Sequence, residues 1–105
     1  METLLIEKAG TDRPVTATLV GYVGSGDLEV MIEPHTQSCA LINIQTATSG
    51  SRARWEQVID QVNAINPLPA MRMDIHDFSA TPGVIRLRLE QAIELATEQG
   101  GQGNV

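Results

Sequence analysis

The sequence predicts an α+β domain in which an antiparallel or mixed β-sheet is covered on one face by two helices. Apolar residues alternate with a period of two through the first half of the chain, and a helical period near 3.6 follows in two later segments. The length of 105 residues and an apolar content of 42% suit one compact domain. We expect this domain to span residues 1–99, with the glycine-rich residues 100–105 as a flexible tail.

Five segments have the composition or alternation of β-strands, at residues 3–7, 15–23, 27–33, 40–45 and 70–78. In the third segment Leu28, Val30 and Ile32 share one face, whereas Glu29 and Glu33 share the other. This strand therefore has a dry side and a wet side. A meander of antiparallel strands is the simplest arrangement of these segments, and it places Gly24-Ser25-Gly26 at the turn of a hairpin.

Two segments have helical spacing. The first has one apolar stripe, formed by Trp55, Val58, Ile59, Val62 and Ile65. Asn66 and Pro67 should end this helix. In the second, Thr81 is placed to cap the helix and Pro82 to occupy its first position. Residues 85–89 alternate like a strand, but the cap before them and the sequence QAIELA after them favour a helix.

Composition and charge exclude several classes of function. The chain has one Trp, one Tyr and one Phe, which leaves few rings to stack on nucleic-acid bases. Its net charge of -6 has the wrong sign for phosphate backbones or anionic membranes, and it suits basic protein partners better. No segment is apolar for long enough to serve as a signal peptide or a membrane span. The single cysteine, Cys39, excludes an internal disulfide and points to the cytoplasm.

Two sets of polar residues resemble functional sites, but only weakly. His35 and Cys39 lie four residues apart and supply two metal ligands, whereas a complete site needs three or four. Asp74, His76 and Asp77 contain acid and base groups that would suit acid-base chemistry or a cation, but polarity in a loop before a helix explains the same residues, and we favour that explanation. We therefore expect no metal site and no catalytic residue in this chain.

The sequence Gly24-Ser25-Gly26 presents one hydroxyl between two strand-like runs. The spacing of its glycines fits neither a dinucleotide-binding motif nor a nucleophile elbow. In one interpretation the glycines make a tight turn and serine fills a solvated position. In the other, the glycines clear the approach to the hydroxyl for a modifying enzyme, since Ser25 has no neighbouring base to activate it as a nucleophile. The residues alone leave both interpretations open.

The sequences VGSGDLEV and DFSATPGVIRLRLEQA, with the Trp-bearing helix between them, resemble the acyl carrier subunit, called delta, of the biotin-independent malonate decarboxylases. The resemblance covers nearly the whole chain. It is weaker in the middle segment, residues 34–54, and in the glycine-rich tail. The carrier subunit of citrate lyase and a non-carrier interaction module are the alternatives.

The resemblance implies that Ser25 carries 2'-(5''-triphosphoribosyl)-3'-dephospho-CoA through a phosphodiester bond. It further implies that the thiol of this group bears acetyl and malonyl thioesters while malonate is converted to acetate and CO2. The implied partners are the acyl transferase and decarboxylase subunits and a prosthetic-group transferase. Asp27 and Glu29, on the wet side of the third strand, are candidates for docking to basic partners or ordinary solvated residues.

Overall fold

The computed structural model describes the backbone of residues 1–101 and the side chains of residues 1–98. Five strands and two helices follow one another along the chain. Their bounds are β1 Glu2–Ala9, β2 Thr18–Gly21, β3 Leu28–Glu33, β4 Cys39–Thr46, α1 Arg52–Ile65, β5 Met71–Asp77 and α2 Pro82–Gly101. The predicted α+β class is confirmed.

The five strands form one mixed sheet in the order β1-β4-β5-β3-β2. Strands β2 and β3 form the predicted antiparallel hairpin, whereas β4 and β5 are parallel. The predicted meander is therefore wrong, because β5 lies between β3 and β4. Parallel neighbours need a crossover connection, and α1 supplies it between β4 and β5.

Both helices cover the same face of the sheet, and the core lies between the two layers. The alternation predicted for three strands is confirmed, because the apolar face of each is buried. These residues are Leu28, Val30, Ile32, Ala40, Ile42, Ile44, Met71, Met73 and Ile75. Trp55, Val58, Ile59 and Val62 pack on them from α1, and Ile85, Leu89, Ala92, Ile93 and Ala96 do so from α2. The core is therefore almost entirely aliphatic, with one buried ring at Trp55.

Three details of the elements differ from the sequence predictions. The predicted strand over 15–23 shortens to β2, because the Thr16 N–H donates to the Ala96 carbonyl of α2 (3.0 Å) instead of joining the sheet. Ile65 ends the predicted apolar stripe of α1 but is 68% exposed. Helix α2 reaches Gly101, so it includes the first two residues of the predicted tail, while residues 102–105 lie outside the described residues.

The predicted start of α2 is confirmed. The helix begins at Pro82, and the Val84 N–H donates to the Thr81 hydroxyl (3.4 Å) as an N-cap bond. In the part of the chain that the structure describes, no helix is long and apolar enough to cross a membrane.

Leu4 and Leu5 provide a matched test of the two faces of the sheet. Leu4 is 4% exposed beneath the helices, whereas Leu5 is 56% exposed on the opposite face. We expect Leu4→Ala to lower the free energy of unfolding by about 2–5 kcal/mol, because it leaves a cavity in the core. Leu5→Ala should change it by less than about 1 kcal/mol. Urea unfolding followed by circular dichroism measures both, and equal losses would contradict the assignment of faces.

Candidate functional site

Ser25 lies at an exposed position of the turn between β2 and β3. The Asp27 N–H donates to the Gly24 carbonyl (3.1 Å), so Ser25 and Gly26 are the two central residues of a β-turn. Among the described residues the Ser25 hydroxyl has no hydrogen-bond partner, and therefore no hydrogen-bonded base. The predicted position of Ser25 at a hairpin turn is confirmed, and the residue is exposed.

Two glycines of this connection have positive φ angles but differ in their surroundings. Gly21 has φ +83°, and a Cβ atom there would collide with the Leu28 carbonyl oxygen. Gly26 has φ +80°, and a Cβ atom there would meet nothing within 4 Å. Gly21 is therefore required by contact and by conformation, whereas Gly26 is required by conformation alone and leaves open space beside Ser25.

Backbone hydrogen bonds attach the turn to the residue that follows β5. The Gly26 N–H donates to the Phe78 carbonyl (2.7 Å), and the Phe78 N–H donates to the Asp27 carbonyl (3.0 Å). These bonds extend the antiparallel pairing of β3 with β5, in which Leu28 faces Asp77. The turn that carries Ser25 is consequently part of the sheet and not a free loop.

An ion pair attaches the same turn to α2. The Arg88 guanidinium donates two bonds to Asp27, Nε to Oδ1 (3.1 Å) and Nη2 to Oδ2 (2.9 Å), and the Leu28 N–H also donates to Oδ1 (2.7 Å). The Asp27 side chain is 13% exposed. The bond from Arg88, followed by that from Leu28, lowers the pKa of Asp27 below its ordinary value.

Asp27 is thus a partly buried anchor of the turn. The prediction that Asp27 lies on the solvated face of the strand, as a docking residue or as an ordinary solvated residue, is wrong. Glu29 does lie on the uncovered face of the sheet, with its Oε1 3.7 Å from Nδ1 of His76. Docking through Glu29 stays a prediction.

Asp74, His76 and Asp77 belong to β5, so the expectation of loop polarity is wrong. Alternation along the strand sends Asp74 and His76 to the uncovered face and Asp77 to the buried face. Asp77 accepts bonds from the Thr46 hydroxyl (2.7 Å) and the Ala80 N–H (2.9 Å). It therefore shapes the chain between β5 and α2, and the three side chains do not converge on one site.

His35 and Cys39 do approach each other, with 3.5 Å between Nε2 and Sγ. Burial, followed by the nearby Glu7 carboxylate, raises the pKa of the Cys39 thiol. A neutral thiol is a poor metal ligand. Among residues 1–98 there is no group of three or more His, Cys, Asp or Glu side chains that could hold a metal ion.

Sequence reasoning found Ser25 but missed Arg88 and Phe78, which fix its turn. Arg88 is 61 residues from Asp27, and no spacing rule connects residues so far apart. Phe78 acts through its backbone, so its side-chain identity carries no signal. Residues 85–89 departed from helical spacing, because apolar residues alternate there with arginine. That alternation indicated a possible strand and gave no sign of an ion pair.

The chain is similar to known proteins over most of its length. The family model described as malonate decarboxylase delta subunit (MdcD), of acyl carrier type, matches residues 15–96. The malonate decarboxylase acyl carrier protein of Pseudomonas fluorescens SBW25 is 48% identical over 94 residues, 90% of this chain and 95% of that relative. The protein of the same name from Pseudomonas aeruginosa UCBPP-PA14 is 48% identical over 96 residues, 91% and 97% of the two chains.

A solved structure is also similar. It is a chain in the crystal structure of a Pseudomonas malonate decarboxylase hetero-tetramer in complex with malonate, with a TM-score of 0.84 and 46% identity. The similarity covers 90% of this chain and 97% of that one.

These matches, together with an exposed serine on a fixed turn, define the class of the molecule as an acyl carrier domain. Within that class the chain belongs to the malonate decarboxylase delta subunit family. The resemblance found in the sequence is confirmed.

Substitution of Gly21 and Gly26 distinguishes the cost of backbone strain from the cost of a steric contact. We expect Gly26→Ala to lower the free energy of unfolding by about 1–2 kcal/mol, because an L-residue is forced to a positive φ. Gly21→Ala should cost more, because its Cβ also meets the Leu28 carbonyl. Urea unfolding curves measure the difference, and equal losses would show that this carbonyl is not close to Gly21.

Asp27 should make stability depend on pH. Its folded pKa is lowered, so the unfolded chain binds the proton more tightly and folding is favoured above the ordinary aspartate pKa of about 3.9. This contribution should disappear as pH falls through the folded pKa. The stability gap between wild type and Asp27→Asn should therefore be largest near neutral pH and shrink in acid.

Glu90→Gln is the matched control for this experiment, since it breaks the exposed Arg86–Glu90 pair (3.0 Å) on the same helix. Exposed pairs contribute little, so this variant should stay close to wild type at every pH. Thermal unfolding across a pH series provides the comparison. A constant gap for Asp27→Asn would contradict the assigned pKa direction.

Proposed function

We propose that Ser25 is the attachment point of a covalent 2'-(5''-triphosphoribosyl)-3'-dephospho-CoA group, and that the chain is a non-catalytic carrier subunit of a malonate decarboxylase. The observation that supports this most strongly is an exposed serine hydroxyl, without a hydrogen-bond partner among the described residues, on a turn fixed to both β5 and α2. A modifying enzyme needs such access, whereas the carrier domain itself needs no activated nucleophile.

The residues around Ser25 fit a bulky substituent. An added Cβ at Gly26 would meet nothing within 4 Å, so the space beside the hydroxyl is open. No base forms a hydrogen bond with the Ser25 hydroxyl in the described part of the chain, and the carboxylate two residues on, Asp27, is bonded by Arg88. When attached, the group supplies a thiol that carries acetyl and malonyl as thioesters.

The contribution of this chain is to hold the attachment point at a fixed place and orientation. Asp27, Arg88 and the Phe78 backbone restrict the turn, so motion of the arm begins at Ser25 and not in the protein. A tethered substrate reaches each active site at an effective concentration on the order of millimolar. Decarboxylation and transfer then belong to other subunits.

The proposed partners are acyl transferase and decarboxylase subunits, together with the transferase that attaches the prosthetic group. The similar chain of known structure comes from a malonate decarboxylase hetero-tetramer, which supports assembly with other subunits. The family match favours this function over that of a citrate lyase carrier. We place the protein in the cytoplasm, where a single thiol such as Cys39 stays reduced.

The experiment is to co-express the chain with the enzymes that make and attach the prosthetic group, and to measure its intact mass. Wild type should gain the mass of the group, and Ser25→Ala should gain none. Cleavage after Glu7 and Glu29 releases residues 8–29, in which Ser25 is the only serine, so the added mass can be assigned to it. Ser25→Ala should stay within about 0.5 kcal/mol of wild-type stability, since the side chain is exposed.

Ser79→Gly is the matched control. Ser79 is also exposed, and it follows Phe78, whose carbonyl bonds the serine turn. Its φ of 65° is one that glycine adopts without strain, so the hydroxyl can be removed without disturbing the backbone. This variant should still gain the mass. Modification of Ser25→Ala, or added mass on a peptide without Ser25, would overturn the proposal.

A further inference from the structure

Exposed apolar side chains are concentrated on the side of the domain formed by β2, its turn and α2. We call these residues the β2-side patch: Leu19, Tyr22, Val23, Met31, Leu87 and Leu95. Leu19, Tyr22 and Val23 are each more than 60% exposed. Leu5 on β1 and Ile65 on α1 are also exposed, but each lies on an element outside the β2-side patch. Clustered exposure of this kind marks interaction sites, whereas isolated exposure is ordinary.

Three members of the β2-side patch, Leu19, Met31 and Leu95, line common grooves. Leu19 and Leu95 line one shallow groove of about 330 Å³, and Leu19 and Met31 line another of about 230 Å³. Leu19 therefore projects between two depressions, one toward α2 and one on the uncovered face of the sheet. Strand β2 is an edge strand, so no further strand of the described chain covers this side.

The β2-side patch continues to the serine turn. Tyr22 and Val23 directly precede Gly24, and the Tyr22 ring lies against Gly24. The hydrogen bond to Asp27 raises the pKa of Arg88, and Tyr22 has a smaller electrostatic effect in the same direction. Leu87 and Leu95 lie eight residues apart on α2, on one stripe with Gln91, which accepts a bond from Arg88 (3.2 Å).

Each groove beside Leu19 also contains a carboxylate. Glu94 lines the groove toward α2, and Glu33 lines the groove on the uncovered face. Within residues 1–98 neither forms an ion pair. An apolar centre with acidic residues at its margin is complementary to a partner surface with an apolar centre and basic residues around it.

We propose that the β2-side patch is the docking surface for a partner subunit of the malonate decarboxylase, one that presents an apolar contact flanked by Lys or Arg side chains. The inference rests on the proposed function, because it takes Ser25 as the root of a short arm. A partner that receives such an arm must approach the domain from the side of Ser25, and the β2-side patch is the apolar surface adjoining that turn. Docking there brings the partner active site within reach.

The test measures binding of the purified chain, without its prosthetic group, to the purified acyl transferase and decarboxylase subunits by calorimetry. Leu19→Ser/Tyr22→Ser should weaken binding to at least one of these subunits by tenfold or more. The matched control, Leu5→Ser/Ile65→Ser, removes apolar side chains of similar exposure (56% and 68%) from other elements and should bind like wild type. Circular dichroism melts verify that both variants fold.

A charge series tests the chemistry of the partner. Glu33→Gln/Glu94→Gln should slow association and reduce its dependence on salt, because it removes the acidic margin of the β2-side patch. Glu56→Gln/Asp60→Asn removes the same number of negative charges from the exposed side of α1 and should leave association unchanged. Equal effects of the two variants would overturn the proposed basic partner.

Ser25→Ala separates this inference from the proposed function. That variant cannot be loaded if Ser25 is the attachment point, but it should bind the subunits like wild type. Failure of Ser25→Ala to abolish loading would overturn the proposed function and leave docking measurable. The proposed docking surface would be overturned by any of three results. Leu19→Ser/Tyr22→Ser could bind as tightly as the wild type, its control could weaken binding equally, or the wild type could show no measurable binding.

Discussion

The ion pair between Asp27 and Arg88 is the interaction on which the arrangement of the site depends. It joins the hairpin turn to α2 through two hydrogen bonds, at 2.9 and 3.1 Å, between residues 61 positions apart. Both side chains are partly shielded from solvent, so water screens the pair less than it screens an ordinary surface pair. The turn that carries Ser25 is consequently held in place, although the Ser25 hydroxyl itself has no hydrogen-bond partner among the described residues.

The mixed sheet makes this support possible. Because α1 returns the chain to a strand parallel to β4, β5 enters between β4 and β3. The residue after β5, Phe78, then lies beside the start of β3 and bonds Gly26 and Asp27 through its backbone. In a simple meander β4 would take that place next to β3. The path of the chain through α1 therefore decides what holds the serine turn.

A carrier subunit needs presentation more than reactivity, and the described residues agree with that requirement. The carboxylate nearest to Ser25 in sequence is occupied by Arg88, and the buried carboxylate of Asp77 is occupied by Thr46 and Ala80. Exposed apolar side chains adjoin Ser25 on the β2 side of the domain, and Asp74, His76 and Glu29 place polar side chains elsewhere on the uncovered face of the sheet. The proposed attachment and docking therefore both use the β2 side of the sheet, and β1 forms its opposite edge.

The secondary-structure elements and the turn that carries Ser25 could be predicted without the fold, because both depend on the local order of residues. Period-two alternation placed Leu28, Val30 and Ile32 on a buried face, helical spacing placed Trp55 and Val58 in the core, and Thr81-Pro82 marked the start of α2. The strand order, the exposure of Ile65 and the partial burial of Asp27 could not be predicted in this way. Each of these depends on which distant segments meet, and alternation specifies the face of a strand without specifying its neighbour.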